Sequence, residues 1–142
     1  MSIKKLELKK IKKSDMSFLY ELLKERDPQA NISHKKMPTY EQHRRFVSSK
    51  PYKSWYVIYA NGQKAGSAYL SKQNEIGIFL MKGFQRLGIG KKILQMLMEK
   101  NPEERYLANV SPKNHKSINF FKNNNFKLIQ HTFEFIPSRR VK

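Results

Sequence analysis

Apolar positions along the chain alternate between the period of a strand and that of a helix. Residues 3–11 predict a strand, and the apolar residues of 18–23 follow helical spacing behind Asp15, a residue type that suits an N-cap. Thr39 opens a second predicted helix, because Gln42 stands three residues later in the pattern of a capping box. The chain therefore begins with a strand and two helices.

The middle of the chain predicts three antiparallel strands. Residues 55–60 and 64–71 are rich in aromatic and aliphatic side chains, and Asn61-Gly62 between them favours the positive φ angles of a tight hairpin turn. The apolar run of residues 75–81 follows as the third of these strands.

The last third of the chain continues with helices and strands. Apolar spacing predicts a helix over 88–100, a short buried strand over 106–110 and a helix over 115–124. Two further strands are predicted at 126–130 and 131–136. This order predicts an α/β (α+β) fold with a mixed, mostly antiparallel central sheet.

Length and composition fit one domain. The chain has 142 residues and no repeat or linker, so we expect a single domain over residues 1–142, with Trp55 and Tyr56 in its core and a basic tail at 136–142. The lack of cysteine excludes disulfides, thiolate metal sites and a cysteine nucleophile. No apolar run is long enough for a signal peptide or a bilayer span, and we expect a cytoplasmic protein.

Positive charge dominates the composition. There are 29 Lys and Arg residues against 11 Asp and Glu, a net charge of +18, and such a field concentrates phosphate-bearing partners near a protein. A solvated surface would explain the same lysines, which are spread along the chain. Nucleic-acid binding is a rival interpretation, but most aromatic residues fall at predicted core positions. Four scattered histidines match no common ligand spacing, so no metal site is predicted.

The segment QRLGIG, residues 85–90, lies between the strand predicted over 75–81 and the start of the helix predicted over 88–100. The first N–H groups of a helix have no intrahelical partners and the helix dipole is positive there, so a pyrophosphate can accept several hydrogen bonds at once. Gly88 and Gly90 would clear its approach. A P-loop is excluded because its Lys-Ser/Thr pair is absent.

These motifs resemble the GNAT superfamily of acetyl-coenzyme A dependent N-acetyltransferases. Residues 85–90 match the family signature Q/R-x-x-G-x-G/A at every position, and residues 108–126, ANVSPKNHKSINFFKNNNF, resemble its N-x-x-S/A-x-x-F-Y-x-x-x-G-F segment. The resemblance covers residues 2–135 and implies a GNAT-like sheet with helices on both faces.

The resemblance implies that the chain binds acetyl-CoA as a cosubstrate. The backbone of the central strand would pair with the pantetheine arm, and an N–H near Leu80 would polarise the thioester carbonyl. An N-cap is an alternative role for Asn114. The implied coenzyme A-binding residues are Ile78, Phe79, Leu80, Gln85, Arg86, Leu87, Gly88, Ile89, Gly90, Lys91, Asn114, Ser117 and Phe121.

The sequence departs from the family pattern at two positions. Phe121 stands where many relatives have a tyrosine that protonates the leaving thiolate, and phenylalanine has no proton to donate. Asn125 replaces a glycine, which is a milder change because asparagine tolerates the left-handed conformation. Coenzyme A would then leave as a thiolate or take its proton from water or from the departing ammonium. Because Phe121 lacks the tyrosine hydroxyl, a non-catalytic acyl-CoA sensor is an alternative function.

A catalytic base is expected, because an alkyl ammonium with a pKa of about 10 is almost fully protonated at neutral pH. Glu75, at the start of the central strand, is the first candidate, acting directly or through water. His34 and His43 are the second, since histidine titrates in the useful range. Asn109, which matches a position that lines the coenzyme arm or the acceptor in relatives, is also predicted to belong to the catalytic residues.

Residues 22–47 resemble the acceptor wall of GNAT branches that act on ribosomal-protein N-termini, polyamines or amino sugars of nucleotide-sugar pathways. This implies that Arg26, Met37 and His43 bind the acceptor, although Met37 could fill the core and Arg26 could pair with Asp27 at the surface.

The basic charge favours a phosphorylated small amine, such as a nucleotide-linked amino sugar, with protein N-termini as the alternative. Without cysteine, direct transfer in a ternary complex is expected. Edge strands at 126–136 could pair two copies, which predicts a homodimer by fold-level analogy.

Overall fold

The computed structural model describes residues 2–26 and 37–139. Three short 3₁₀ segments, Lys13–Asp15, Lys82–Phe84 and Pro137–Arg139, accompany the longer elements. Those elements are β1 (Leu6–Lys10), α1 (Met16–Glu25), α2 (Tyr40–Ser48), β2 (Tyr52–Ala60), β3 (Gln63–Ser71), β4 (Ile76–Leu80), α3 (Gly90–Lys100) and α4 (His115–Asn123).

The four strands form one antiparallel sheet in the order β1-β2-β3-β4. The predicted hairpin is confirmed, because β2 and β3 are joined at Asn61 and Gly62, whose φ angles are 51° and 81°. Gly66 lets β3 and β4 approach closely, since a Cβ there would lie 2.1 Å from the Phe79 carbonyl oxygen. Neighbours in the sheet are thus also neighbours in sequence.

Helices cover both faces of this sheet, as the sequence predicts. Ile93, Leu94 and Leu97 of α3 are buried against one face, where Ile58 and Leu70 belong to the same apolar cluster. The opposite face lies under α1 and α2, which bury Leu19, Leu22 and Val47. Burying a side chain of this kind contributes about 1.5 to 3 kcal/mol, so the sheet is held mainly by these two apolar layers.

Side chains cap two of the helices. The Thr39 side chain accepts a hydrogen bond from the Gln42 N–H at 3.1 Å, and Gln42 accepts one from the Thr39 N–H, which confirms the capping box. In the same way, Asn114 caps α4 by accepting from the Ser117 N–H at 3.2 Å. Both helix starts are therefore fixed by local sequence.

A buried ion pair joins the start of α1 to β3. The Asp15 carboxylate is 1% exposed and lies 2.7 Å from the Lys64 ammonium, and it also accepts from the Lys12 N–H at 2.9 Å. Burial alone would raise the pKa of Asp15, but these hydrogen bonds outweigh it and the pKa is lowered. Asp15 therefore anchors α1 in its ionised form.

The strands predicted after α3 are largely wrong. Only Leu107 of the predicted 106–110 strand pairs, in one parallel bridge with Glu75. Residues 126–136 contain no strand, and the side chains of Leu128, Ile129, Phe133 and Phe135 are 60% to 91% exposed. Alternating polarity predicts a strand but cannot supply the neighbouring strand that its backbone needs.

The described residues contain no helix that is long and apolar enough to cross a membrane. Nor do they contain a group of three His, Asp or Glu side chains arranged to hold a metal ion.

Candidate active site

The loop before α3 leaves the start of that helix open to an anion. Its backbone turns through Arg86 and Gly88, whose φ angles are 63° and 73°. Ile89 is the N-cap residue, yet no side chain of the described residues caps α3. The first N–H groups of α3 thus keep their hydrogen-bonding capacity, in contrast to those of α2 and α4.

The two glycines of the loop have different roles. A Cβ at Gly88 would meet no atom within 4 Å, so this glycine is required by its positive φ and leaves open space for a ligand. A Cβ at Gly90 would lie 3.0 Å from the Phe120 ring, so Gly90 serves the packing of α3 on α4. The sequence interpretation, which gave both glycines to ligand approach, is therefore incomplete for Gly90.

The open edge of the sheet lies beside this loop. β4 pairs with β3 from Ile76 to Leu80, while on its other side only the Glu75–Leu107 bridge pairs it with any described residue. The Leu80 carbonyl accepts a hydrogen bond from the Gln85 side chain at 3.0 Å, which ties the loop to the end of β4. Backbone groups of residues 77–80 along this edge fit the strand-like pairing that a pantetheine arm would make.

The predicted catalytic residues Glu75 and Asn109 lie in contact. The Asn109 amide donates to the Glu75 carboxylate at 2.7 Å, and the Ser71 hydroxyl donates to its other oxygen at 3.2 Å. Burial, with a smaller contribution from the Glu75 charge, raises the pKa of Tyr52 and Tyr69. Of the two histidines predicted as alternative bases, His34 lies outside the described residues.

A cavity of about 390 Å³ lies between the sheet and the two N-terminal helices. Leucines of α1 and the α2 residues His43 and Phe46 form its roof, and Phe79 of β4 borders its floor. His43 is buried beside the Tyr20 ring at 5.4 Å. The predicted acceptor residues Arg26 and His43 thus both line the cavity, whereas Met37 is 41% exposed and is absent from its described lining.

A sequence model described as the acetyltransferase (GNAT) family matches residues 16–126. The chain belongs to the GNAT acetyltransferase family. It is therefore an acyltransferase of a family that uses acetyl-CoA.

Solved GNAT-like structures share this fold. A domain from Methanocaldococcus jannaschii is 21% identical with a TM-score of 0.79, covering 92% of this chain and 93% of that chain. RimL, a ribosomal alpha-N-protein acetyltransferase in complex with coenzyme A, is 23% identical with a TM-score of 0.73, covering 88% and 81%. The aminoglycoside N-acetyltransferase AAC(6')-Iy in complex with CoA is 14% identical with a TM-score of 0.69, covering 93% and 94%. No curated protein matches the chain.

Aromatic residues that the sequence interpretation did not assign to the GNAT site form the floor of the cavity. Tyr52 and Tyr69 stack with ring centroids 3.8 Å apart and planes at 1°, and Trp55 packs edge-on against Tyr52 at 4.7 Å. Burial raises the pKa of both tyrosines, so both phenols stay neutral. Gly77 makes room for Tyr69, because a Cβ there would lie 2.2 Å from its ring.

The prediction that Trp55 lies in the core is therefore wrong, although Tyr56 is buried there as expected. A register shift between Tyr52 and Ser54 interrupts the pairing of β2 with β3, and Tyr52 and Trp55 lie on the cavity side together. Strict alternation along β2 would place these two rings on opposite faces of the sheet. The bulge that brings them to one face has no sequence signal here, so the aromatic floor could not be predicted from the sequence.

Residues 114–126 mainly cap and pack α4. Asn114 serves as the N-cap of α4 and Ser117 supplies the capped N–H. Phe121 packs edge-on against Phe120 and Phe126, each at 5.1 Å. Asn125 has a φ of 70°, which confirms that asparagine adopts the left-handed conformation expected at this position.

Proposed function

We propose that this GNAT enzyme transfers the acetyl group of acetyl-CoA to a primary amine of a small molecule held in the cavity. The single observation that carries the proposal is that Phe79 belongs both to the edge strand and to the cavity lining. Its backbone lies in β4 next to the open edge of the sheet, and its ring lines the cavity. A thioester along that edge and an amine in the cavity would then be neighbours.

Acetyl-CoA supplies an activated acyl carbon, and the protein supplies its binding surface. The uncapped start of α3 would bind the diphosphate, with Arg86 and Lys91 adding positive charge, and the edge at Ile78 and Leu80 would pair with the pantetheine amides. Gln85, Leu87, Gly88, Ile89 and Gly90 shape the loop, and Asn114, Ser117 and Phe121 remain proposed contacts of the coenzyme arm.

Glu75 is proposed as the base, directly or through one water, with Asn109 orienting its carboxylate. Glu75 takes one proton from the ammonium, which frees the nitrogen lone pair. The nitrogen then forms the N–C bond as the C–S bond breaks and coenzyme A leaves as a thiolate, and the second proton lost from the nitrogen passes to that thiolate or to water. His34 and His43 stay secondary candidates for the base. Transfer is direct because the chain has no cysteine to carry the acetyl group.

For the acceptor we propose a small amine, with an amino sugar of a nucleotide-sugar pathway as the leading case and a protein N-terminus as the alternative. Arg26 and His43 would contact it, and Met37 would lie at the mouth. The similarity in fold to RimL, an alpha-N-protein acetyltransferase, supports the protein N-terminus as the alternative acceptor. A cytoplasmic location, a single domain and a homodimer are parts of the same proposal.

The experiment combines calorimetry of acetyl-CoA binding with release of free thiol over a panel of amines. Glu75→Gln should lower kcat by about 100-fold or more without changing the affinity for acetyl-CoA, since a general base contributes about 10² to 10⁴. Glu99→Gln, at an exposed site on α3, is the matched control. No binding heat, together with no thiol release from any amine, would overturn the proposed function.

A further inference from the structure

We propose that the cavity selects amines that also carry an anionic group, a carboxylate or a phosphate, and that Arg26 binds this group. The inference rests on the proposed acetyl transfer and names the class of acceptor. It is carried by the position of Arg26, by the donor groups around the cavity, and by the charge balance of its lining.

Arg26 follows directly after α1 and points its guanidinium over the Phe79 ring, with the guanidinium carbon 3.9 Å from the ring centroid. Its Nε atom is inaccessible to solvent and has no hydrogen-bond partner within residues 2–26 and 37–139. No carboxylate among the described residues forms a salt bridge with it. A guanidinium keeps its charge in proteins, so this is a partly buried cation to which the described residues supply no counter-ion.

The rest of the described lining offers hydrogen-bond donors and apolar surface. Tyr52 donates a hydrogen bond to the Tyr69 oxygen, which leaves the Tyr69 hydroxyl as a donor for a ligand, and the Trp55 ring N–H already donates to Ser67 at 2.7 Å. No Asp or Glu is among the described residues that line the cavity. A cavity of this composition matches a ligand that is rich in acceptor oxygens.

Charge decides between acceptor classes. Binding an anion would give Arg26 a charged partner, which none of the described residues provides, and planar guanidinium geometry suits both carboxylate and phosphate. A polycation such as a polyamine would instead place a second positive charge beside Arg26, in a cavity whose described lining has no carboxylate, inside a protein of net charge +18. The cavity should therefore reject polyamines and aminoglycosides.

The test uses pairs of amines that differ only in the anionic group. Glucosamine 6-phosphate is compared with glucosamine, glycylglycine with glycylglycine amide, and spermidine serves as the polycation. The wild-type enzyme should prefer at least one anionic member by about 10- to 100-fold in kcat/KM, the value of a hydrogen-bonded charge contact. The phosphate and carboxylate arms identify which group is bound.

Two variants assign the preference to the proposed residue. Arg26→Gln should abolish the preference by raising KM for the anionic amine, and Arg26→Lys should restore part of it. Arg45→Gln, which removes an exposed arginine on α2, should leave the preference unchanged. Thermal unfolding of each variant controls for loss of fold.

A binding measurement keeps the two proposals separable. Ligand-observed NMR with coenzyme A present should show tighter binding of the anionic amines than of their neutral partners, lost in Arg26→Gln. Turnover of amines without any anionic preference would overturn this inference and leave the acetyltransferase proposal standing. Anionic selectivity in binding with no turnover of any amine would support the inference and overturn the proposed chemistry.

Discussion

At the scale of single residues, the site depends on backbone freedom at Gly88 and on charges held out of water. Gly88 adopts a φ of 73° in open space, whereas Asp15 is a fully buried charged group and Arg26 a partly buried one. Asp15 has a partner in Lys64, and Arg26 has no described carboxylate. The first arrangement stabilises the fold, and the second suits a ligand.

Replacing Gly88 should impair acetyl-CoA binding specifically. Gly88→Ala should cost about 1 kcal/mol of stability because its φ is left-handed, and it should weaken acetyl-CoA binding by about 10-fold through the displaced N–H groups. Gly62→Ala is the control, since Gly62 has a φ of 81° with equally open surroundings in the β2–β3 turn. Calorimetry showing an unchanged Kd for Gly88→Ala would contradict the assigned diphosphate site.

The Asp15–Lys64 pair predicts a pH-dependent stability. Because the fold lowers the pKa of Asp15, its contribution is fully present above an unfolded pKa of about 4 and is lost as the pH falls through the folded pKa. Asp15→Asn should cost about 1 kcal/mol at pH 7, an amount kept small because Lys64 is 34% exposed.

This difference should shrink as the solution is acidified, as measured by urea unfolding at several pH values. Glu21→Gln, at an exposed carboxylate of α1, should show no such convergence. A cost for Asp15→Asn that is constant down to pH 2 would contradict the argument.

At the scale of elements, the first N–H groups of the helices have different uses: some stabilise the fold and others are open to a ligand. Side chains cap α2 and α4, so their first N–H groups are already used within the protein. The start of α3 has no such cap and follows the loop at the open end of β4. An internal cap and an anion site are alternative uses of the same N–H groups.

The cap of α4 can be tested separately from its proposed contact with coenzyme A. Asn114→Ala should lower the free energy of unfolding by about 1 kcal/mol, and Asn114→Ser should retain most of it, because serine is also a good N-cap. Thr39→Ala should cost a similar amount in α2 without affecting acetyl-CoA. If Asn114→Ser keeps stability but loses acetyl-CoA affinity, Asn114 has both roles. Full stability of Asn114→Ala would refute the cap.

At the scale of the whole molecule, the C-terminal segment 126–136 leaves apolar side chains uncovered. The side chains of Ile129, Phe133 and Phe135 lie within seven residues of one another, and all three are largely exposed. Exposed apolar groups of this size usually mark an interaction surface. The homodimer proposed above would cover them.

Light scattering after size-exclusion chromatography measures this association. The wild-type protein should show a dimer that dissociates on dilution, and the substitution Phe133→Ser, at a side chain 91% exposed, should shift it to monomer with little change in unfolding temperature. Tyr40→Ser removes an exposed ring outside the segment and should leave the dimer intact. A wild-type protein that stays monomeric at all concentrations would refute the proposal.

The sequence correctly predicted the turns and helix starts that depend on interactions between neighbouring residues. Asn61-Gly62 specifies its turn by tolerance of positive φ, Thr39 specifies the start of α2 through its own side chain, and residues 85–90 specify an open loop. Strands after α3 were predicted from alternation alone and largely failed, because pairing is a contact between distant segments. Family resemblance placed Arg26 and His43 near the acceptor, and both line the cavity.

The sequence by itself determined the family, the glycine loop and the hydrogen-bond capacity of the α3 start, since each depends on neighbouring residues. Only the tertiary structure decided that Tyr52, Trp55 and Tyr69 share a cavity floor, and that Arg26 lies over Phe79. A bulge changes which face a strand residue occupies, and the partners of a buried charge come from distant parts of the chain. Neither effect can be found in a short stretch of sequence.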